Sequence, residues 1–310
     1  MSERRVLVTG GTGTVGSAVV DSLAERGDVA VRAGTRDPAA ARERFVSDPS
    51  FNGDVEFVRF DFEKPETWGR AFEGVSGLFL VLPPGGSADR VLDAAAAAVR
   101  VGVSRLVYLS VLGVERNPVV PHWRIERGLR GLDAAHTFLR ASFFMQNFAE
   151  VHRRDIAERN EVFVPAGNGE TSFVDARDVG EVGAKALTEA GHANRAYDVT
   201  GPAALDYDEV AGVFADVLGR PISYPNPSLL RFVRRAYARG RPLPFVLVMA
   251  GIYTTARLGL AGRVSDDARR VLGRPPRSLR TFVTDYRERF EPPDSSATDA
   301  DPRSKVSGDR

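Results

Sequence analysis

The chain contains no cysteine, which excludes disulfides, thiolate metal centres and cysteine nucleophiles. Histidine is scarce as well, with four in 310 residues, so no metal site is expected. Only three basic residues are lysines, Lys64, Lys185 and Lys305, and the rest are arginines. None of the tyrosines has a lysine four residues on. That excludes a tyrosine acid whose pKa is lowered by a lysine on the next helical turn. Net charge is lacking too: 42 basic residues stand against 41 acidic ones, so there is no basic footprint and no nucleic-acid partner is expected. The long apolar stretch, Leu243 to Ala256, is too short to span a bilayer and is interrupted by Pro244 and Gly251. It is expected to be a buried helix, or one lining a pocket or a subunit interface. The polar N-terminus runs straight into the first apolar run without a signal-peptide pattern. A cytoplasmic protein with no membrane partner is the expectation.

What is present is led by residues 5 to 16, Arg-Val-Leu-Val-Thr-Gly-Gly-Thr-Gly-Thr-Val-Gly. A short apolar run, Val6 to Val8, breaks into glycines and then into a helix-like segment from Ser17 to Arg26. Gly10, Gly13 and Gly16 stand three apart. The first allows a tight turn, the second lets backbone N–H groups approach a pyrophosphate, and the third lets a helix lie close to the strand. Phosphates would then face the positive end of that helix. Residues Gly10, Thr12, Gly13, Thr14, Val15 and Gly16 are therefore the expected cradle of a dinucleotide.

Further apolar runs, Val29 to Ala33, Val55 to Phe60, Leu78 to Leu82, Leu106 to Leu109 and Thr137 to Arg140, read as strands. Helical patterns lie between several of them, most clearly Ala88 to Val101 with Ser87 as N-cap. The alternation indicates an α/β fold, a Rossmann doubly wound parallel sheet covered by helices. The second half is less regular. Phe163 to Pro165 and Ser172 to Val174 read as strands, Asp178 to Thr188 as a helix and Ala196 to Val199 as a further strand. Helical candidates follow at Asp206 to Leu218, Ser228 to Ala238, Phe245 to Leu260 and Ser278 to Phe290. The expected division is a dinucleotide-binding domain over 1–155, completed by part of 172–200, a smaller, mostly helical C-terminal lobe over 156–290, and a disordered tail over 291–310.

Twenty residues past Gly16 stands Arg36, at the place where an NAD-specific protein usually carries an acid. A guanidinium there can pair with a 2′-phosphate, so NADP(H) is favoured over NAD(H). Asp37 follows it directly and pulls the other way. After the third strand, Asp61 is placed to accept from an adenine amino group, with Phe62 beside it. The turn at Leu82-Pro83-Pro84-Gly85-Gly86 follows the fourth strand, where an open sheet of this kind meets its ligand. Ser110 ends the fifth strand, either as a holder of carboxamide or substrate or as an ordinary terminal serine. His122 and Glu126 are one turn apart on a helical pattern. They read as a proton donor with its carboxylate, which would raise the imidazole pKa, or as a solvated pair. Hydride delivery to a simple ketone leaves an alkoxide that needs a placed acid. Delivery to a quinone leaves a phenol-like anion with a pKa of about 10, which water or a histidine can protonate. A site without Tyr-Lys fits an activated acceptor, or no catalysis.

The chain resembles the NmrA-like branch of atypical short-chain dehydrogenase/reductases, and is similar to the bacterial NAD(P)H:quinone oxidoreductases of that branch. The likeness runs from Val6 to about Phe290. It is carried by Thr9 to Gly16, Thr35-Arg36, Asp61-Phe62, Leu82-Pro83, Tyr108 to Gly113, His122 through Glu126, Thr137 to Arg140 and Phe144-Met-Gln-Asn147. Phe173 to Asp178, Val199 to Pro202 and Gly273 to Pro276 extend it. The resemblance implies a cofactor cleft between a Rossmann domain and a small lobe. It also implies that Asn147 lies near the nicotinamide or the substrate, with Phe143 and Phe144 as candidate pocket walls. Because the branch holds both reductases and cofactor-sensing proteins, it leaves more than one reading. One is NADPH-dependent reduction of a small quinone-like or other activated acceptor, with His122, Asn147 and Glu126 at the reacting end. The other is a redox-sensing regulator; reduction or isomerisation of a specialised metabolite is a third. A homodimer is compatible with the sequence.

Overall fold

All seven runs that read as strands within the expected sheet join it. The structure is a computed structural model that describes residues 4–47 and 53–292. In chain order the strands are β1 (Arg5–Thr9), β2 (Ala30–Thr35), β3 (Val55–Arg59), β4 (Val75–Leu80), β5 (Arg105–Val111), β6 (Ala135–Ala141), β7 (Phe143–Phe144), β8 (Thr171–Val174), β9 (Arg195–Val199) and β10 (Ala204–Leu205). The main sheet has seven strands in the order β3-β2-β1-β4-β5-β6-β9. Every pairing in it is parallel.

Alternate side chains explain the unbroken apolar runs. Val6 and Val8 on β1 pack under the helices Thr14–Arg26 and Ala176–Thr188, whereas Leu7 faces the helices Ala88–Arg100 and Pro121–Arg130. Both faces are covered, so the strands are predominantly apolar on both. Each fully buried valine or leucine contributes roughly 1.5–3 kcal/mol. Ser87 caps its helix as expected, accepting from the Asp89 N–H at 3.2 Å. Strand order reverses between β1 and β4, which opens a crevice beyond their C-terminal ends.

The second half returns to this sheet after an excursion. β8 joins β7 and β10 in a separate three-stranded sheet. The helix Ala176–Thr188 then lies on the first helix so closely that a Cβ on Gly180 would stand 2.6 Å from the Ala18 backbone. β9 completes the edge of the main sheet. A third apolar cluster, built around Phe148, Phe173, Tyr207, Phe214, Tyr253 and Phe282, gathers side chains from Met145 to Phe290.

Three expectations are corrected. Phe163 to Pro165 is not a strand: Phe163 and Val164 are buried by packing into the third cluster, and only an isolated bridge from Glu161 to Ser223 stands nearby. The last helical run stops at Asp285 and finishes as a short 3₁₀ turn, Arg287–Phe290. The stretch expected as a buried helix, or one lining a pocket or a subunit interface, forms the helix Leu243–Arg257; it is not wholly buried, since it buries Val246, Met249, Ala250, Tyr253 and Ala256 and exposes its other side. Of the expected tail, residues 293–310 lie outside the described residues.

Candidate active site

Beyond β1 the backbone is shaped by glycine. Thr9 locks β1 to β4, donating to the Phe79 carbonyl at 2.9 Å and accepting from the Val81 N–H at 3.2 Å. Gly10 then takes φ of +61°, which L side chains rarely adopt. The Gly13 N–H closes the turn on the Gly10 carbonyl at 2.9 Å. A Cβ on Gly16 would sit 2.1 Å from that same carbonyl oxygen. The helix Thr14–Arg26 thus starts directly against the turn, with Gly13 as its N-cap and no side chain capping it. Its first N–H groups form an anion-binding end. Gly11, outside the expected frame, is as tightly held: a Cβ there would meet the Ala33 Cβ at 2.9 Å. Thr12 is tied in through its carbonyl, which accepts from Arg44 at 2.8 Å. Thr14 donates to the Glu150 carboxylate at 3.1 Å, joining the turn to the short helix Gln146–Glu150. Val15 is buried in the core beneath.

Arg36 follows β2, is exposed, and has no ion-pair partner among the described residues. Its neighbour Asp37 is committed elsewhere. Its carboxylate caps the helix Pro38–Val46, accepting from the N–H groups of Ala39 and Ala40 at 3.1 Å each. Asp61 is half-buried after β3 and accepts from the Glu63 N–H at 3.0 Å. The Phe62 ring is buried edge-on against Phe60, 4.9 Å between centroids, so only its backbone faces outward. Leu82 and Pro83 are half-buried beyond β4, where the Gly86 N–H closes a turn on the Pro83 carbonyl at 2.8 Å.

At the ends of β5 and β6 the hydrogen bonds differ from those expected. Glu126 does not pair with His122. Its carboxylate, 2% exposed, receives Ser110 Oγ at 2.8 Å and a two-pronged contact from Arg140 at 3.0 and 2.8 Å. Arg130 adds a second cation at 2.9 Å. Burial works against the charge, but the bonds from Arg140 and Ser110 outweigh it and hold the Glu126 carboxyl below its usual range. Beyond Arg140 the network runs through Glu115 to Arg263 and Asp198.

His122 bonds instead to Tyr108, with 2.6 Å between Nδ1 and the hydroxyl. The imidazole pKa is lowered, chiefly by burial, although the Glu126 charge pulls upward. The Tyr108 hydroxyl, pushed well above its ordinary value mainly by burial, stays protonated. It has no other partner among the described residues and donates to Nδ1, which leaves the imidazole neutral with its proton on Nε2. His122 is thus a neutral N–H donor rather than an imidazolium acid. Tyr108 was not anticipated. Its place two residues before Ser110 on one strand, hence on the same face of the sheet, is the signal that could have found it.

Asn147 lies in the short helix Gln146–Glu150, half-buried, its amide without a hydrogen-bond partner among the described residues. Its neighbour Gln146 is structural. It donates to Asp175 and accepts from the Ala176 N–H, both at 2.9 Å, pinning this helix to the one that returns to the main sheet. Phe143 packs edge-on against Phe173 at 5.8 Å, and Phe144 lies against the main core. Hydrogen bonds join Ser110, Glu126 and Arg140 in one group and His122 and Tyr108 in another; Asn147 bonds to neither.

The pattern of the NmrA-like family matches residues 2–250. The chain is also 34% identical to the NAD(P)H azoreductase of Xenophilus azovorans, over 92% of its own length and 99% of that protein. The chain belongs to the NmrA-like family. Within it the protein is an NAD(P)H-dependent oxidoreductase, the class of its named relatives. The triphenylmethane reductase of Citrobacter sp., solved with NADP(H), is a structural neighbour of this NmrA-like protein. Its TM-score is 0.75 and its identity 25%, with 90% of this chain and 98% of that one covered. An NADPH-dependent quinone oxidoreductase of Escherichia coli shares the fold with a TM-score of 0.78 at 23% identity, covering 90% and 99%.

Proposed function

We propose that this NmrA-like protein uses NADPH to reduce a quinone-like or otherwise activated acceptor by direct hydride transfer. The observation that carries this reading is the proton inventory around Ser110 and His122. The helix Pro121–Arg130 presents a neutral imidazole where a reductase of simple ketones needs a strong placed acid. A bound dihydronicotinamide supplies the hydride. The chain fits such a group at its glycine turn, where no side chain caps the start of the helix Thr14–Arg26 and the lack of a Cβ on Gly16 lets that helix begin directly against the Gly10 carbonyl. Gly10, Thr12, Gly13, Thr14, Val15 and Gly16 would hold the pyrophosphate, Arg36 the 2′-phosphate, and Asp61, Phe62, Leu82 and Pro83 the adenosine half. Ser110 is held by Glu126 at the end of β5 and positions the reacting end. His122 donates its Nε2 proton in a hydrogen bond to the acceptor oxygen, and Asn147 offers its unpaired amide from across the cleft.

A hydroquinone anion, with a pKa of about 10, takes its proton from water without help from a strong acid. A ketone would leave an alkoxide with no matching donor. On this reading residues 1–155 with part of 172–200 bind cofactor, and 156–290 shape the acceptor side. Relatives named for azo dyes, triphenylmethane dyes and quinones support an electron-poor conjugated acceptor. Stopped-assay NADPH oxidation with a panel of quinones, azo dyes and simple ketones tests the reading. Turnover with the first two and none with ketones is expected. Cofactor binding with no turnover on any acceptor would favour a sensor instead.

A further inference from the structure

We propose that the outer face of the helix pair Leu229–Ala238 and Leu243–Arg257 docks on an anionic lipid bilayer. Leu243, Leu247, Val248 and Ile252 recur at helical spacing and form one exposed apolar stripe, Val248 being 61% exposed. Leu230, 75% exposed, and Tyr237 on the preceding helix, with Leu258 and Leu260 just beyond the second, are exposed apolar side chains as well. Single exposed apolar side chains are ordinary on soluble proteins, but a continuous stripe marks an interaction face.

The charge around the stripe says which partner fits. Residues 228–263 contain seven arginines and no aspartate or glutamate. Arg235 and Arg239 are used internally, against Asp155, and Arg263 against Glu115 and Asp198. Arg231, Arg234, Arg241 and Arg257 are exposed and have no ion pair among the described residues. A second copy docking through the same face would bring these four guanidinium groups against the same four, which repel. An anionic headgroup layer over a hydrocarbon interior meets both halves of the pattern at once, because the stripe enters the acyl boundary and the arginines pair with phosphates. Among the described residues no helix is long and apolar enough to cross a membrane, so the pair would lie on the surface.

The buried side holds the pair in place. Tyr253 on its inner face reaches Phe143, with 5.9 Å between ring centroids, so the docked face backs onto β7. Docking would revise the expectation of no membrane partner. It does not depend on the acceptor reading, because it is measured with no acceptor present.

Flotation of the full chain with vesicles decides it. Binding is expected to phosphatidylcholine vesicles containing about one-third phosphatidylglycerol, with release when salt is raised roughly tenfold. Pure phosphatidylcholine vesicles should retain almost none. Replacing one of the four unpaired arginines by glutamine should weaken binding about fivefold. The Leu247→Glu, Val248→Glu double variant should stop floating while keeping the wild-type melting temperature, since both side chains are solvent-exposed. No flotation with the anionic vesicles at low salt, or flotation unchanged in the double variant, overturns the proposal. Absence of flotation together with a dimer that the double variant dissolves would assign the face to a second copy.

Discussion

Replacing Arg36 by alanine should remove the preference for the phosphorylated cofactor and leave the fold intact. Arg36 is exposed and unpaired among the described residues, so nothing structural is lost with it. The opposing charge nearby, Asp37, spends its carboxylate on the first N–H groups of the helix Pro38–Val46. A guanidinium–phosphate hydrogen bond contributes about 1.5–3 kcal/mol. Exposure and screening place Arg36 at the lower end, about 1.5 kcal/mol, which is roughly tenfold in affinity. Calorimetric titration of NADPH and NADH against both proteins should show NADPH weakened by that factor and NADH unchanged, with the difference shrinking as salt rises. Asp37→Asn keeps a capping side chain while removing a negative charge, and should improve NADPH binding by about twofold. An NADPH-to-NADH affinity ratio that is the same in wild type and Arg36→Ala would refute the reasoning.

Four further outcomes are expected. Gly16→Ala places a methyl 2.1 Å from the Gly10 carbonyl oxygen, a backbone atom that cannot swing aside; the thermal shift induced by NADPH should disappear, and an undiminished shift would remove the glycine turn from the site. Glu126→Gln leaves Arg140 and Arg130 facing a neutral group in a nearly buried site; denaturant unfolding should show a loss of about 3–5 kcal/mol, and a loss under about 1 kcal/mol would mean that water screens the group. His122→Ala should slow quinone reduction by no more than about a hundredfold, the lower end of general-acid effects, with no loss placing the residue outside the site. Burial pushes His152, bonded to Tyr253, down to about 4. The unfolded chain then binds more protons below its ordinary 6.5, so stability present at pH 7 falls with acidification, by about 2 kcal/mol at pH 5, and His152→Gln should flatten that limb in urea titrations.

Local chemistry determined the elements and the cradle. Val6 to Val8, Leu78 to Leu80 and Leu106 to Leu109 are apolar at every position because both sheet faces are covered, and that pattern is visible without a partner strand. The spacing of Gly10, Gly13 and Gly16 is equally local, since a turn closing on a helix start involves only the residues that form it. Contacts distant in sequence were decided by the tertiary structure. Helical spacing puts His122 and Glu126 on one face, but β5 and β6 supply better partners: Tyr108 takes the imidazole, and Ser110 with Arg140 takes the carboxylate. A neutral rather than a charged histidine follows from that burial. Phe163 and Val164 carry a strand-like run that side-chain packing satisfied without a ladder. Composition marks the run from Leu243 to Ala256 for a buried helix or for one lining a pocket or a subunit interface, and among the described residues only one side of the helix finds neighbours. Hydrophobicity states that a residue gains by burial, and only the packed chain decides which of its faces finds something to be buried against.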